Sequence, residues 1–174
     1  RAWRRAVETS VAFPTAPVGL RSGRGTGLVG GMNGRSASPP PFAFLPPALR
    51  QSIAAHLVER RVPAGKIILS NGARSLDVFC LVSGAARIVL HSPAGRAVSV
   101  RDLAPGDVFG ELAALDGGPR SASVVAIEPV TLSVMARSDF LKCLETSPEA
   151  SLWLARRLGA EVRRLTERVF ELSA

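Results

Sequence analysis

The chain has 174 residues, 47% of them apolar, and a formal net charge of +8. That length suits one domain with appendages, and the apolar share is enough to bury a core. No apolar run reaches the ~18–20 residues a helix needs to span a bilayer. The two cysteines and two histidines stand apart from one another, which argues against a metal, haem or iron–sulfur site.

Residues 1–41 are rich in Gly, Ser, Pro and Arg and end in Pro39-Pro40-Pro41, a composition that predicts disorder. Six of the 22 basic residues fall in the first 40 positions, against the single acid Glu8. Most of the positive charge therefore belongs to this tail, and the remainder offers no DNA-reading charge pattern. The tail imitates a transit peptide in being Arg-rich and poor in acids. The plainer reading is that the chain begins upstream of a natural start, with Met32 as a candidate initiator.

From Leu45 to Arg61, Leu49, Ile53 and Leu57 recur every four positions behind Pro46-Pro47, which predicts a short amphipathic helix. From Val62 to Val134 the pattern changes to short β-rich runs. Ile67–Leu69, Val78–Val82, Ala86–Leu90, Ala97–Val100, Val108, Ser123–Ile127 and Thr131–Val134 are the strand candidates. Turns at Gly65, Asn71-Gly72, Ser83-Gly84, Pro105-Gly106 and Gly117-Gly118 punctuate them, a spacing that predicts an antiparallel sandwich or barrel. Cys80 and Cys143 lie in apolar periodic segments and read as buried thiols of a reducing, cytoplasmic compartment.

One run carries chemistry: Phe109-Gly-Glu-Leu-Ala-Ala-Leu-Asp-Gly-Gly-Pro-Arg-Ser-Ala-Ser123. Gly110 lets the backbone turn tightly and approach a ligand. The amides of Glu111, Leu112 and Ala113 open a short helix and lack intrahelical partners. Arg120 offers a guanidinium fork for phosphate oxygens and Ser121 a hydroxyl. Glu111, an acceptor, suits a sugar hydroxyl and not a phosphate. Either half alone is an ordinary helix start or an ordinary turn; together they suit a ligand bearing both phosphate and sugar.

The run resembles the phosphate-binding cassette of cyclic nucleotide-binding domains, roughly F-G-E-[LIV]-A-L-[LIV]…P-R-[AST]-A-[TS], with Ala114 in place of the usual Leu. The resemblance implies a mainly β fold with flanking helices, an antiparallel jelly-roll-like β-roll over residues 42–147. It implies Glu111 on the ribose 2′-hydroxyl and Arg120 on the cyclic phosphate, with Phe109, Gly110, Leu112, Ala113, Ser121 and Ala122 around them. cAMP is the expected ligand; cGMP is the alternative, because the Ser121 hydroxyl can serve a phosphate or a guanine amino group.

Beyond Ser138 the pattern is helical. Phe140, Leu141 and Leu144 fit one short helix, and Ser147-Pro148-Glu149 supplies a start signal for the next. There Leu158, Val162, Leu165, Val169 and Leu172 follow the a/d rhythm of a coiled-coil seam. Arg157/Glu161 and Arg163/Glu167 are spaced to pair along its flanks, at ~0.2–0.5 kcal/mol each. A helix packed only on its own domain needs a wider apolar stripe.

Residues 148–174 resemble the long dimerising helix of Crp/Fnr-type bacterial transcription regulators. This implies a homodimer through that seam and Thr166 against the base. In that family a helix-turn-helix domain follows, whereas the chain stops at Ala174. The expectation is a sensor and dimerisation half, with DNA read only by a domain outside this chain. A channel, a kinase or a standalone partner-binding protein are the other outputs such a module serves. A metal-dependent β-fold enzyme would need clustered ligands, and no nucleophile–base set is placed convincingly, so no enzyme is expected.

Overall fold

The computed structural model describes residues 39–91 and 97–173. The expected tail falls almost wholly outside them. A turn near residue 42 buries Phe42 and Leu45, and α1 (Pro47–Ile53) opens on its own proline. The helix tightens into a 3-10 turn at Ala54–His56 and ends there, short of the expected Arg61. Val58–Val62 is instead strand β1, paired antiparallel with β8 (Val130–Met135) from Val58↔Val134 to Val62↔Val130. Cross-strand pairing of these β-branched ends outweighs the period-four pattern that Leu57 continues.

The remaining strands are β2 (Ile67–Leu69), β3 (Val78–Ser83), β4 (Ala86–His91), β5 (Ala97–Leu103), β6 (Val108–Phe109) and β7 (Ser123–Ala126). Among the described residues they form two antiparallel four-stranded sheets, ordered β1-β8-β3-β6 and β2-β7-β4-β5, the β-roll that the resemblance implies. Phe79, Leu81, Phe109 and Leu132 from one sheet join Leu69, Leu103, Val124 and Ala126 from the other in one core. Burying a side chain such as Leu132 contributes roughly 1.5–3 kcal/mol.

The same strands bury their other face against helices. Val78, Cys80 and Val108 pack with Phe42, Ile53, Phe140, Cys143 and Leu154 in a second core. This explains why Val78-Phe-Cys-Leu-Val82 is continuously apolar instead of alternating. The helices are α2 (Glu111–Asp116), α3 (Arg137–Thr146) and α4 (Pro148–Ser173). Ser147 starts α4 as expected: its hydroxyl accepts from the Ala150 amide at 3.2 Å and donates to Glu149 at 3.0 Å, a capping arrangement. Cys80 and Cys143 are free and buried, and burial pushes both thiols up. Among the described residues no helix is long and apolar enough to cross a membrane.

The β3–β4 turn is pressed against the β7–β8 turn. Gly84 there has φ +83°, and an added Cβ would sit 2.2 Å from the Pro129 carbonyl oxygen. Gly84→Ala is therefore expected to destabilise the domain by ~2–4 kcal/mol, combining backbone strain with overpacking. Chemical denaturation measures it; a wild-type midpoint would contradict this packing.

Candidate functional site

The left-handed turn at Gly110 (φ +84°) ends β6 and delivers the chain into α2. A Cβ at this position would lie 2.7 Å from Arg120 Nη1 and 3.1 Å from the Asp77 carbonyl oxygen. Glycine is required twice over, by conformation and by the closeness of the arginine. Phe109, just before the turn, is buried in the inter-sheet core and stacked on Phe79 at 5.3 Å. It anchors the turn from below.

Arg120 is only 3% exposed and is held on every side. Its Nε donates to Ser75 Oγ at 3.1 Å, Nη1 to the Gly110 carbonyl at 2.7 Å and Nη2 to the Asp77 carbonyl at 2.7 Å. The guanidinium carbon lies 5.7 Å from the Phe79 ring centroid. Its backbone is tied to the preceding loop as well, through Arg120 N to Ala73 O and Gly72 N to Arg120 O. Burial draws its pKa down, opposed by the charges of Asp77 and Glu111. An arginine stays protonated through such a shift. Three of the five N–H bonds of a guanidinium are thereby used, one on each nitrogen, which leaves one further donor on each Nη.

Glu111 has a partner that the sequence reading did not assign. Arg157 Nε on α4 donates to its Oε1 at 3.0 Å, with the two side chains 23% and 12% exposed. Arg157 Nη2 also donates to the Val108 carbonyl, and its guanidinium lies 5.6 Å from the Trp153 ring. The expected Arg157/Glu161 pair is not formed; Glu161 instead accepts from Arg164 Nε at 3.0 Å, one turn along. The i,i+4 rule considers only partners on the same helix, and here a carboxylate from another element competes for Arg157. An arginine one helical turn beyond Trp153, on the half-buried face of α4, was the available signal.

A cavity of about 530 Å3 opens between the β-roll and α4. Of the expected ligand residues, Phe109, Gly110, Glu111, Leu112, Ala113, Arg120, Ser121 and Ala122 all line it. Thr166 does not: its hydroxyl donates to the Val162 carbonyl at 2.9 Å on the exposed side of α4. The helix instead presents Arg157, Leu158, Glu161, Arg164 and Leu165 to the cavity. Leu158 and Leu165 of the expected coiled-coil seam thus line the cavity, Leu165 with 47% of its surface still exposed, while Val162 and Val169 are exposed and do not line it. The side chain of Leu172 lies outside the described residues.

The arrangement can bind a small anion with a vicinal hydroxyl: a guanidinium fork, open helix-start amides, and a carboxylate one residue from the turn. The sequence pattern of the cyclic nucleotide-binding domain family matches residues 59–147. The chain is 33% identical over 133 residues to the cyclic AMP receptor protein of Thermus thermophilus, covering 76% of this chain and 60% of that protein. It is 35% identical over 113 residues to a cyclic nucleotide-gated potassium channel of Mesorhizobium japonicum, covering 65% of this chain and 30% of the channel. The crystal structure of the Thermus thermophilus catabolite activator protein superposes with a TM-score of 0.67 at 30% identity, covering 74% and 61% of the two chains. The chain therefore belongs to the cyclic nucleotide-binding domain family, and it spans at most about three-fifths of these two curated relatives.

Arg157→Met keeps the stem but strips Glu111 and the Val108 carbonyl of a shared donor. The expected cost is ~1–3 kcal/mol, because both acceptors are partly desolvated. Urea denaturation reads it directly, and an unchanged midpoint would mean the pair contributes nothing to the resting fold.

Proposed function

We propose that this chain is the sensing part of a Crp/Fnr-type regulator in the cytoplasm, binding a 3′,5′-cyclic nucleotide and passing the event to α4. The observation that carries the reading is Arg120: a buried guanidinium already fixed by Ser75, Gly110 and Asp77, with two N–H bonds to spare. In this reading the cyclic phosphate takes that pair of N–H bonds and the helix-start amides of α2. The ribose 2′-hydroxyl donates to Glu111, beside the bond from Arg157, and the base enters between β4–β5 and α4. The relatives' names put cAMP first among ligands to titrate.

Because Glu111 is bonded to α4 before any ligand arrives, a hydroxyl competing for the same oxygens acts on the helix directly. A ligand shifts a conformational equilibrium only by its differential affinity for the two states. A tenfold shift needs about 1.4 kcal/mol, within the range of one charge-assisted hydrogen bond.

We further infer self-association through α4. Its outward row runs Leu152, Ala155, Gly159 and Val162, all exposed. Gly159 lies inside a 26-residue helix, where glycine costs about 1 kcal/mol against alanine. A Cβ there would meet nothing within 4 Å, so the fold of one chain gives no reason for it. Close approach of a second helix does. The channel relative carries the same domain with a different output; the outward row favours the dimeric regulator.

Arg120→Lys keeps the charge but not the fork, and should weaken cAMP binding at least tenfold while the chain stays folded by circular dichroism. Calorimetry checks it, and wild-type affinity would overturn the phosphate assignment. Gly159→Leu should shift sedimentation toward the monomer without loss of helix content; an unchanged sedimentation coefficient would remove this seam.

A further inference from the structure

The loop of residues 71–77 between β2 and β3 lines no part of the cavity, yet Arg120 holds it from end to end. The Gly72 amide donates to the Arg120 carbonyl at 2.8 Å, and the Arg120 amide to the Ala73 carbonyl at 2.9 Å. The guanidinium adds its bonds to Ser75 Oγ and the Asp77 carbonyl. At the head of the loop stand Asn71 and Gly72, both exposed, in a turn closed by Ala73 N to Ser70 O at 3.1 Å. Gly72 takes φ +77° there, the left-handed value that calls for glycine at the third residue of such a turn. Both asparagines of the sequence, Asn33 and Asn71, precede glycine.

An asparagine before glycine can react with its own backbone, because no side chain shields the next amide nitrogen. The Gly72 nitrogen bonds to Asn71 Cγ, the Cγ–Nδ2 bond breaks, and ammonia leaves with the former Gly72 amide proton. Water then opens the five-membered succinimide at either carbonyl, leaving aspartate or isoaspartate. Solvent water is the sole co-reactant, and nothing is oxidised or reduced. In the closed loop this path is blocked, since the Gly72 N–H is committed to the Arg120 carbonyl. Reaction therefore runs from a locally opened loop, and a ligand that needs Arg120 held in place depopulates that form. The product is altered where it matters. Asn71 Nδ2 donates to the Ser121 carbonyl at 3.4 Å, and its amide to Ser123 Oγ at 3.0 Å. Aspartate replaces the side-chain donor by a negative charge beside Ser121, which lines the cavity. Isoaspartate also adds a carbon to the main chain between Asn71 and Gly72 and so displaces Gly72 N from the Arg120 carbonyl.

We infer that Asn71 is a self-modification site protected by ligand: with Arg120 unoccupied the loop opens, Asn71 deamidates, and the product binds anions more weakly. The protection rests on the cyclic-nucleotide reading of the cavity; the modification itself does not. The full chain is incubated in warm, mildly alkaline buffer with and without saturating cAMP. Mass spectrometry follows the peptides holding Asn33 and Asn71 for replacement of NH2 by OH. Asn71 is expected to deamidate in the free protein and about tenfold or more slower with cAMP, while Asn33 keeps one rate in both. By calorimetry, aged wild type should bind cAMP about threefold or more weaker than fresh protein, the scale of one added like charge. Aged Asn71→Gln, whose side chain is one carbon too long for the five-membered ring, should match its own fresh sample. No mass gain at Asn71 overturns the site. Equal rates at Asn71 with and without bound cAMP, equal slowing at Asn33, or unchanged affinity after ageing overturns the link to ligand. Fresh protein that binds no cAMP overturns the cyclic-nucleotide reading and the protection together, and the mass gain still decides the modification.

Discussion

The site depends on the burial of one guanidinium. Removing a charge from water is costly unless hydrogen bonds replace the lost hydration, and Arg120 meets that condition with three protein acceptors and an aromatic face. Two of the acceptors are backbone carbonyls, one on the cassette turn and one on the segment leading into β3. Arg120 therefore staples two distant stretches of chain before any ligand arrives. In the proposed function, a phosphate meets a guanidinium already oriented and already dry, so little rotamer entropy is spent on binding.

The same economy explains Gly110. The turn must bring its own carbonyl within 2.7 Å of the Arg120 guanidinium while presenting the opening amides of α2 to the cavity. A side chain at that residue would occupy the space the arginine needs. Phe109 beneath the turn is part of the inter-sheet core, so the position of the proposed anion site is fixed by the packing of the two sheets. Stability and recognition share residues here, and this couples the cost of a cassette mutation to the fold.

The cassette was legible because its chemistry is local: glycine, acid and arginine fall within a dozen residues, and their roles follow from donor and acceptor types. Most strands were legible for the same reason, since period-two runs bounded by glycine report themselves. What failed was non-local. Val58–Val62 reads as the tail of a helix until β8 supplies its partner. Arg157 reads as one half of a surface pair until Glu111 is brought alongside α4. Thr166, expected at the base, lies off the cavity and Leu165, expected in the seam, lines it, because a 4-3-4-3 apolar rhythm defines a stripe but not which element the stripe faces. Burial marks two rows: residues 157, 158, 161 and 164 are half-buried, while 155, 159, 162 and 166 are exposed; Leu165 is exposed too, and only its place in the cavity lining separates it from Thr166.

In the proposed function, those two rows are what lets α4 transmit. An α-helix of 26 residues is a rod of roughly 39 Å, stiff enough that a displacement of one face displaces the other. The cavity row is bound to the β-roll through the Glu111–Arg157 pair and through Leu158, which packs against the helical core. The outward row carries Gly159 and its exposed apolar neighbours. In that reading, a ligand that changes the partners of Glu111 changes the force on the cavity row, and the outward row moves with it. Packed interfaces respond to such shifts by switching between discrete arrangements and not by gradual deformation. A sub-ångström adjustment at one carboxylate is sufficient input for a helix held this way, provided the ligand binds one arrangement better than the other.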